Sequence, residues 1–206
     1  MIVSVTVDRN KGGIANSLVS YSKALQLINE RHLIMLPRNA HVKKDLESLQ
    51  NVEILALSKI SLYFHIYTNF FFKPKISKQL KESEWIFIHN SKLLKYFSVF
   101  FNKTGLINHS GKLRNTNHKA WNIFITESGL NRFLKKYPNN HSKNLVICHG
   151  FEILKPKTRK HEANKEHLKI IAAGRLVEKK GLEDLIEVAA ILEQEAVSYT
   201  HLTLPT

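Results

Sequence analysis

The chain contains one cysteine, Cys148, among its 206 residues, so it cannot form a disulfide bond within itself. Small secreted scaffolds that depend on disulfides are therefore excluded, and a reducing compartment is expected. Long apolar runs are also missing, since no stretch approaches the roughly 20 apolar residues of a membrane-spanning helix. The N-terminus lacks the basic start of a secretory signal. These absences predict a cytoplasmic protein that does not span a membrane.

Acidic residues are scarce: 17 Asp and Glu stand against 31 Lys and Arg, which gives a formal net charge of +14. Such an excess favours an anionic partner, whether a phosphate, a membrane surface or a nucleic acid. The three aspartates, Asp8, Asp45 and Asp184, form no Asp-x-Asp pair. Because paired carboxylates are the usual ligands of a divalent ion, the sequence predicts no such metal site and no other cofactor.

Short apolar runs alternate with longer amphipathic segments along most of the chain. The runs are rich in Ile, Val, Leu and Phe, which is typical of parallel strands covered on both faces. The expected strands are residues 2–7, 33–36, 52–57, 85–89, 105–108, 123–126, 145–148 and 168–172. Helices are expected between them, for example one with Ile14, Leu18, Tyr21, Leu25 and Ile28 on a single face. The alternation predicts a right-handed, doubly wound, Rossmann-like α/β sheet.

A polar, charged stretch at residues 156–166 contains Pro156 and no apolar cluster, as an exposed interdomain linker does. We therefore predict an N-terminal domain at residues 1–155 and the beginning of a second Rossmann-like domain, one strand, a loop and a helix, at 167–196. Residues 197–206 carry no Lys, Arg, Asp or Glu and match translated adapter DNA of a sequencing library. We expect them to be a non-native tail, with a genuine terminal strand as the alternative.

The first candidate site is the turn after the first expected strand, where Gly12 and Gly13 precede a helix. Ligands of an open parallel sheet bind beyond the carboxyl ends of its strands. A glycine pair there lets the N–H groups of a helix N-terminus approach an anion, and we place Lys11 in the same cleft. The spacing matches neither the dinucleotide motif nor the P-loop. The glycines could equally form a tight strand-to-helix turn without a ligand.

The second candidate site is a basic loop with Gly174, Arg175 and Lys180, again between an expected strand and helix. Arg175 presents a planar fork suited to bidentate phosphate binding, and Lys180 is a compact positive charge. Lys180 lies just before a helix start, where a cation is unfavourable unless an anion lies between it and the helix. A solvated basic loop is the alternative.

Three histidines, His89, His109 and His149, each lie at the end of an expected strand. Strand ends facing one cleft are where a histidine can contact substrate, as an acid, a base or a hydrogen-bond donor. His109 ranks first because Ser110-Gly111 places it at the mouth of a loop, and His89 and His149 are expected to line the cleft. A structural, hydrogen-bonded histidine is the alternative for each.

Aromatic residues and lysines are interleaved at residues 60–81, and residues 85–126 contain no acidic residue. This pattern suits contact with an anionic bilayer, at about 1 kcal/mol for each well-placed cation. The alternative is that the aromatic side chains belong to the core and the lysines to a solvated face. Nucleic acid could bind the same positive charge. Because the sequence contains no recognised nucleic-acid-binding motif, no nucleic-acid partner is expected.

Four places in the chain resemble family 4 glycosyltransferases of the two-domain GT-B type, which transfer a sugar from a nucleotide-sugar donor. They are the turn with Gly12 and Gly13, the strand, serine and helix at 123–134, the strand and turn at 146–152, and the most specific block at 174–186. The resemblance covers the chain up to the expected tail. It implies a GT-B fold, with an acceptor-side Rossmann-like domain followed by the start of a donor-side domain.

The resemblance implies that Gly12, Gly13, Arg175 and Lys180 bind the donor diphosphate, and that His109 lies near the transferred sugar as the catalytic residue. It also implies a metal-independent, retaining transfer to a glycan or a lipid-linked acceptor, in the cytoplasm or at the inner face of the plasma membrane. The family's paired glutamates would lie beyond the matched residues, so the fragment is expected to be inactive.

Two other functions stay open. One is another GT-B enzyme, such as a sugar-nucleotide epimerase, which the residues of the complete second domain would distinguish. The other is a basic, non-enzymatic protein that binds nucleic acid or an anionic surface. That protein would bind DNA in a strongly salt-dependent way and would have no affinity for sugar nucleotides.

Overall fold

The computed structural model describes residues 1–68, 70–109, 120–139, 143–150, 172 and 181–194. The chain divides into two compact units, Met1–Leu154 and Lys155–Thr206. Within the described ranges, no helix is long and apolar enough to cross a membrane. The first unit contains the sheet and the candidate site, and the second contributes one described helix.

The first unit is built on seven strands. They are β1 (Ile2–Val5), β2 (His32–Pro37), β3 (Val52–Leu57), β4 (Trp85–Ile88), β5 (Thr104–Asn108), β6 (Trp121–Phe124) and β7 (Lys143–Val146). All neighbours pair in parallel, in the order β3-β2-β1-β4-β5-β6-β7. The expected Rossmann-like α/β fold is confirmed. Of the further strand expected at 168–172, only residue 172 is described.

Helices connect the strands, as the periodicity predicts. In the first unit they are α1 (Gly13–Leu27), α2 (Lys43–Glu47), α3 (Lys59–Tyr67), α4 (Pro74–Glu82) and α5 (Glu127–Lys136), with a 3₁₀-helical segment at Ser91–Lys103. Local chemistry sets several starts: Ser58 and Thr126 cap α3 and α5 through their hydroxyl oxygens. Pro74 opens α4, where its missing N–H costs nothing.

The second unit contributes α6 (Leu182–Gln194), which lies where the apolar spacing predicts a helix. Gly181 precedes it with a left-handed backbone (φ 60), a conformation that glycine adopts at little cost. Glu183 and Asp184 occupy the first turn, where carboxylates interact favourably with the helix dipole.

Both faces of the inner strands β1 and β2 are buried, which is why they read as continuous apolar runs. In β2, Leu33 and Met35 pack into one core, and Ile34 and Leu36 pack into the other. The first core is covered by α3, α4 and the 3₁₀ segment, and the second by α1 and α2. The helices therefore close both faces and leave the strand ends as the accessible edges.

β1 ends at Val5, two residues before the end that the sequence predicts. The Thr6 N–H still bonds to the Met35 carbonyl oxygen of β2 (3.0 Å), but the next two backbone N–H groups bond to side chains. The Val7 N–H donates to Asn90 Oδ1 (2.9 Å), and the Asp8 N–H donates to Thr6 Oγ1 (3.1 Å). The strand pairing stops because polar side chains at the carboxyl edge take over its hydrogen bonds.

Lys103 belongs to the basic region of the sequence but has a structural role. Its ammonium donates to the carbonyl oxygens of Leu80 (2.9 Å), Lys81 (2.6 Å) and Ser83 (2.6 Å), at the carboxyl end of α4. These carbonyls have no partner within the helix, and a cation there also interacts favourably with the helix dipole. Lys103 therefore anchors α4 to the start of β5.

Replacing this cap should destabilise the fold. We expect Lys103→Met to lower the free energy of unfolding by about 1–3 kcal/mol, since it removes charge-assisted bonds to three carbonyls. Lys92→Met is the matched control, because Lys92 is exposed in the same 3₁₀ segment. Urea unfolding followed by circular dichroism measures both. Equal stability of the two variants would contradict the structural role of Lys103.

Candidate functional site

The sheet order reverses between β1 and β4, because β1 continues to β2 on one side and pairs with β4 on the other. A crevice forms beyond the carboxyl ends of two such strands, and open α/β sheets bind their ligands there. The turn with Gly12 and Gly13 and the residues that follow β4 both lie at this edge. The candidate site is therefore built from the loops that leave β1 and β4, and from the neighbouring strand ends.

Asn90 joins the two strand ends across the crevice. Its Oδ1 accepts from the Thr6 hydroxyl (3.1 Å) and from the Val7 N–H (2.9 Å), and its Nδ2 donates to Asp8 Oδ2 (3.2 Å). One amide therefore uses both its acceptor and its donor side to hold the start of the β1–α1 loop. Asn90 positions this loop.

The glycine turn is open. A Cβ added to Gly12 or to Gly13 would meet no heavy atom within 4 Å, and Gly12 has an extended backbone, so neither packing nor backbone strain requires glycine here. α1 begins without a side-chain cap and without an acidic residue in its first turn. Lys11 is exposed beside it. This helix N-terminus can accept an anion from solvent.

The three sequence-predicted histidines lie together at the carboxyl edge, in what we call the histidine stack. The rings of His89 and His109 are 5.0 Å apart with planes 18° from parallel, and those of His109 and His149 are 5.3 Å apart at 19°. His89 Nδ1 lies 2.8 Å from His109 Nε2, a hydrogen bond. Three strands that are distant in sequence therefore deliver their terminal histidines to one column.

A serine connects the histidine stack to the glycine turn. The Ser17 hydroxyl donates to the Gly13 carbonyl oxygen (2.7 Å), and a hydroxyl has only one proton, so Ser17 Oγ must accept from His149 Nε2 (3.4 Å). The proton of neutral His149 is therefore on Nε2. Its Nδ1 then accepts from the Tyr21 hydroxyl, 2.8 Å away.

The proton of His89 can be located in the same way. His89 is 5% exposed, and its Nε2 is buried without a partner among the described residues. A buried unpaired N–H is costlier than a buried unpaired lone pair, so the proton lies on Nδ1 and is donated to His109 Nε2. Neutral His109 then carries its proton on Nδ1. His109 can thus donate from Nδ1, and His89, too buried to line the cleft itself, positions the His109 ring.

Burial keeps the whole stack uncharged at neutral pH. Desolvation lowers the pKa of His109 to about 4, with a further contribution from His149, and it lowers the pKa of His149. Desolvation, followed by repulsion from the neighbouring histidines, holds the pKa of His89 well below its usual range. Burial also raises the pKa of Tyr21, which therefore stays a phenol. The site presents fixed neutral donors and acceptors.

The other predicted site residues belong to the basic loop at 174–180. Arg175 and Lys180, with Gly174, lie outside the described residues, so their positions are not part of this geometry. Among the described residues, no group of His, Cys, Asp or Glu side chains is arranged to hold a metal ion.

Sequence reasoning missed Asn90, Ser17 and Tyr21. Tyr21 fits the apolar face of α1, and its hydroxyl carries no signal in that pattern. The spacing of Ser17 and Tyr21, four residues apart, would have placed both on one helix face. Asn90 directly follows a histidine already singled out at a strand end. Each was detectable in part, but the partners of each come from distant strands.

Comparison of the chain with family models, with curated proteins and with solved structures gives no significant match.

Removing the Asn90 side chain should loosen the crevice. We expect Asn90→Ala to lower the free energy of unfolding by about 1–3 kcal/mol, because it leaves part-buried groups of Thr6 and Val7 unpaired. Hydrogen exchange at the Val7 amide should accelerate. Asn51→Ala is the control, since Asn51 also bonds to two backbone carbonyls but away from the crevice. If Val7 exchange is the same in both variants, the bridging role is wrong.

The free energy of unfolding should decrease as the pH falls from about 6.5 to about 4. Burial also lowers the pKa of His32 to about 4, where it bonds to Ser22 and Ser4. Folded His32 and His109 thus resist a proton that the unfolded chain binds below its usual pKa of about 6.5. The contribution of these two histidines to the free energy of unfolding is fully present above about pH 6.5. It is lost between pH 6.5 and 4, at up to about 1.4 kcal/mol per pH unit for each histidine.

Urea unfolding between pH 4.5 and 8 measures this dependence. We expect His109→Asn to reduce the slope by about one proton, because one depressed titration is removed. Leu27→Ser, a change of an exposed side chain that does not titrate, should leave the slope unchanged. A wild-type unfolding free energy that is constant from pH 7 to 4.5 would contradict the burial of these neutral imidazoles.

Proposed function

We propose that the chain is the acceptor-side part of a glycosyltransferase of GT-B organisation, followed by the start of its donor-side domain. It would move a sugar from a nucleotide-sugar donor to a glycan or a lipid-linked acceptor. One observation carries the proposal: Ser17 bonds to both Gly13 and His149, so an open helix N-terminus and a column of neutral histidines share one crevice. An anion site beside neutral hydrogen-bond donors suits a diphosphate attached to a sugar.

The glycine turn has the features of the phosphate end of this site. Departure of a nucleoside diphosphate concentrates negative charge on its phosphates, and preorganised N–H groups and cations stabilise such charge. The N–H groups of the first turn of α1 and the exposed Lys11 can supply this at the described edge. By resemblance, Arg175 and Lys180 supply it from the donor side.

The histidine stack has the features of the sugar end. His109 Nδ1–H is a neutral donor whose ring is held at Nε2 by His89 and lies 5.3 Å from the nearly parallel ring of His149. It can donate to a hydroxyl oxygen of the transferred sugar and so orient the sugar's anomeric carbon towards the acceptor hydroxyl. With its pKa near 4, His109 orients rather than delivers a proton at neutral pH.

A single glycine tests the phosphate role without damage to the fold. A methyl group at Gly13 meets nothing in the protein, and alanine is favoured over glycine inside a helix by about 0.5–1 kcal/mol. Gly13→Ala should therefore keep or raise stability and still weaken binding of UDP- or GDP-sugars about tenfold, or ~1.4 kcal/mol. Calorimetric titration of the chain, with a urea unfolding curve for each variant, measures both effects.

Arg175→Ala and Lys180→Ala should weaken the same binding by a similar factor, with Lys135→Ala on α5 as the exposed control. The parent nucleosides, which lack phosphate, should not bind. Unchanged binding in all three site variants would refute the assignment. Tight, salt-dependent DNA binding without affinity for sugar nucleotides would instead favour the non-enzymatic alternative.

A further inference from the structure

α3 carries apolar side chains on two opposite faces. Leu62 and Ile66 are buried in the core beneath the helix, at 0% and 1% exposure. Ile60, Phe64 and Tyr67, at the spacing of one helix face, are 84%, 50% and 72% exposed. The inner face already satisfies the packing of α3. The outer apolar face therefore has no role in the core of this unit.

The turn after α3 extends this outer face. Phe71 and Phe72 are 77% and 63% exposed, and the Phe72 ring stacks on Phe64 at 5.8 Å and 14°. Phe71 and Phe72 contact each other edge to face at 5.3 Å. Ile60, Phe64, Tyr67, Phe71 and Phe72 therefore form an exposed surface, which we call the aromatic patch.

This arrangement requires a strained backbone at Phe70. Phe70, immediately before the two exposed rings, is fully buried and has a left-handed backbone (φ 57), which is rare for a bulky side chain. Its N–H bonds to the His65 carbonyl oxygen at 2.7 Å, and its ring stacks on His65 at 5.8 Å. This turn buries one phenylalanine and directs the next two outward, so their exposure is built into the local conformation.

The charge around the aromatic patch has one sign. Residues 59–81 contain five lysines and no acidic residue. Lys59 is exposed at the start of α3, and Lys75 is exposed in the first turn of α4, beyond the two outward rings. Lys73 lies between these two lysines in the sequence. The pKa of His65 is lowered first by the burial of its ring and then by the positive charge of Lys73. The aromatic patch and its border of lysines are therefore complementary to a partner whose surface is anionic and whose interior is apolar.

We propose that the aromatic patch, with Lys59, Lys73 and Lys75, docks this domain on an anionic lipid bilayer. Phenylalanine rings and Ile60 would enter the boundary between headgroups and acyl chains, Tyr67 would lie at headgroup level, and the lysines would contact lipid phosphates. The proposal does not require the proposed function. It is compatible with it, because α3 begins two residues after β3 and so starts at the same sheet edge as the candidate site.

Co-sedimentation of the full chain with vesicles tests the docking. We use phosphatidylcholine vesicles with and without about one third phosphatidylglycerol, at low and high salt. We expect at least tenfold stronger binding to the anionic vesicles, weakened by salt. The double variant Phe71→Ser/Phe72→Ser should lower this binding at least tenfold. Lys59→Gln/Lys75→Gln should remove most of the preference for anionic lipid.

Matched controls separate docking from general stickiness. Leu27→Ser changes an apolar side chain that is 86% exposed on α1, and Lys92→Gln/Lys135→Gln changes two exposed lysines elsewhere. Both should bind within about twofold of the wild type, and circular dichroism should show all variants folded. If the lysine variant loses binding but the phenylalanine variant does not, the chain binds polyanions without insertion and the proposal is overturned. Absence of vesicle binding by the wild type overturns it as well.

Discussion

Parallel pairing of β1 with β4 is the constraint on which the candidate site depends. It brings Val5 and Ile88, the ends of two strands 83 residues apart in sequence, side by side at the point where the sheet order reverses. The polar groups of Thr6, Val7 and Asp8 at this edge would be costly to bury unpaired. Asn90 bonds to all three, with its Oδ1 as the acceptor and its Nδ2 as the donor. The two strand ends thus meet at this edge with these polar groups bonded.

Neutrality of the histidine stack follows from the same geometry. Two imidazolium ions about 5 Å apart would repel by about 3 kcal/mol at an effective dielectric constant of 20, in addition to the cost of desolvating each. The bond from His89 to His109 also needs a lone pair on the acceptor. The stack therefore holds its protons in one pattern, from Tyr21 through His149 to Ser17 and from His89 to His109, and that pattern leaves His109 as a donor.

Strand and helix positions in the first unit could be predicted because burial on both faces leaves a continuous apolar signal. The end of β1 could not, since the N–H groups of Val7 and Asp8 bond to the side chains of Asn90 and Thr6, and Asn90 comes from a distant strand. His89, His109 and His149 could be placed at one edge from topology alone. Their stacking, their tautomers and the contribution of Tyr21 depend on side-chain contacts that no local pattern carries.

The three consecutive phenylalanines at 70–72 show where composition stops being informative. Phe70 is buried, whereas Phe71 and Phe72 are exposed. The left-handed backbone at Phe70 turns the chain so that the two following rings point away from the core. Interleaved lysines and aromatic residues are compatible with a core, a solvated face or a lipid surface. The combination of a filled inner face on α3, an apolar outer face and a cationic border is the reason for proposing the last. Because α3 starts at the sheet edge that holds the histidine stack, an acceptor of the proposed lipid-linked kind would approach His109 along the membrane rather than from bulk solvent.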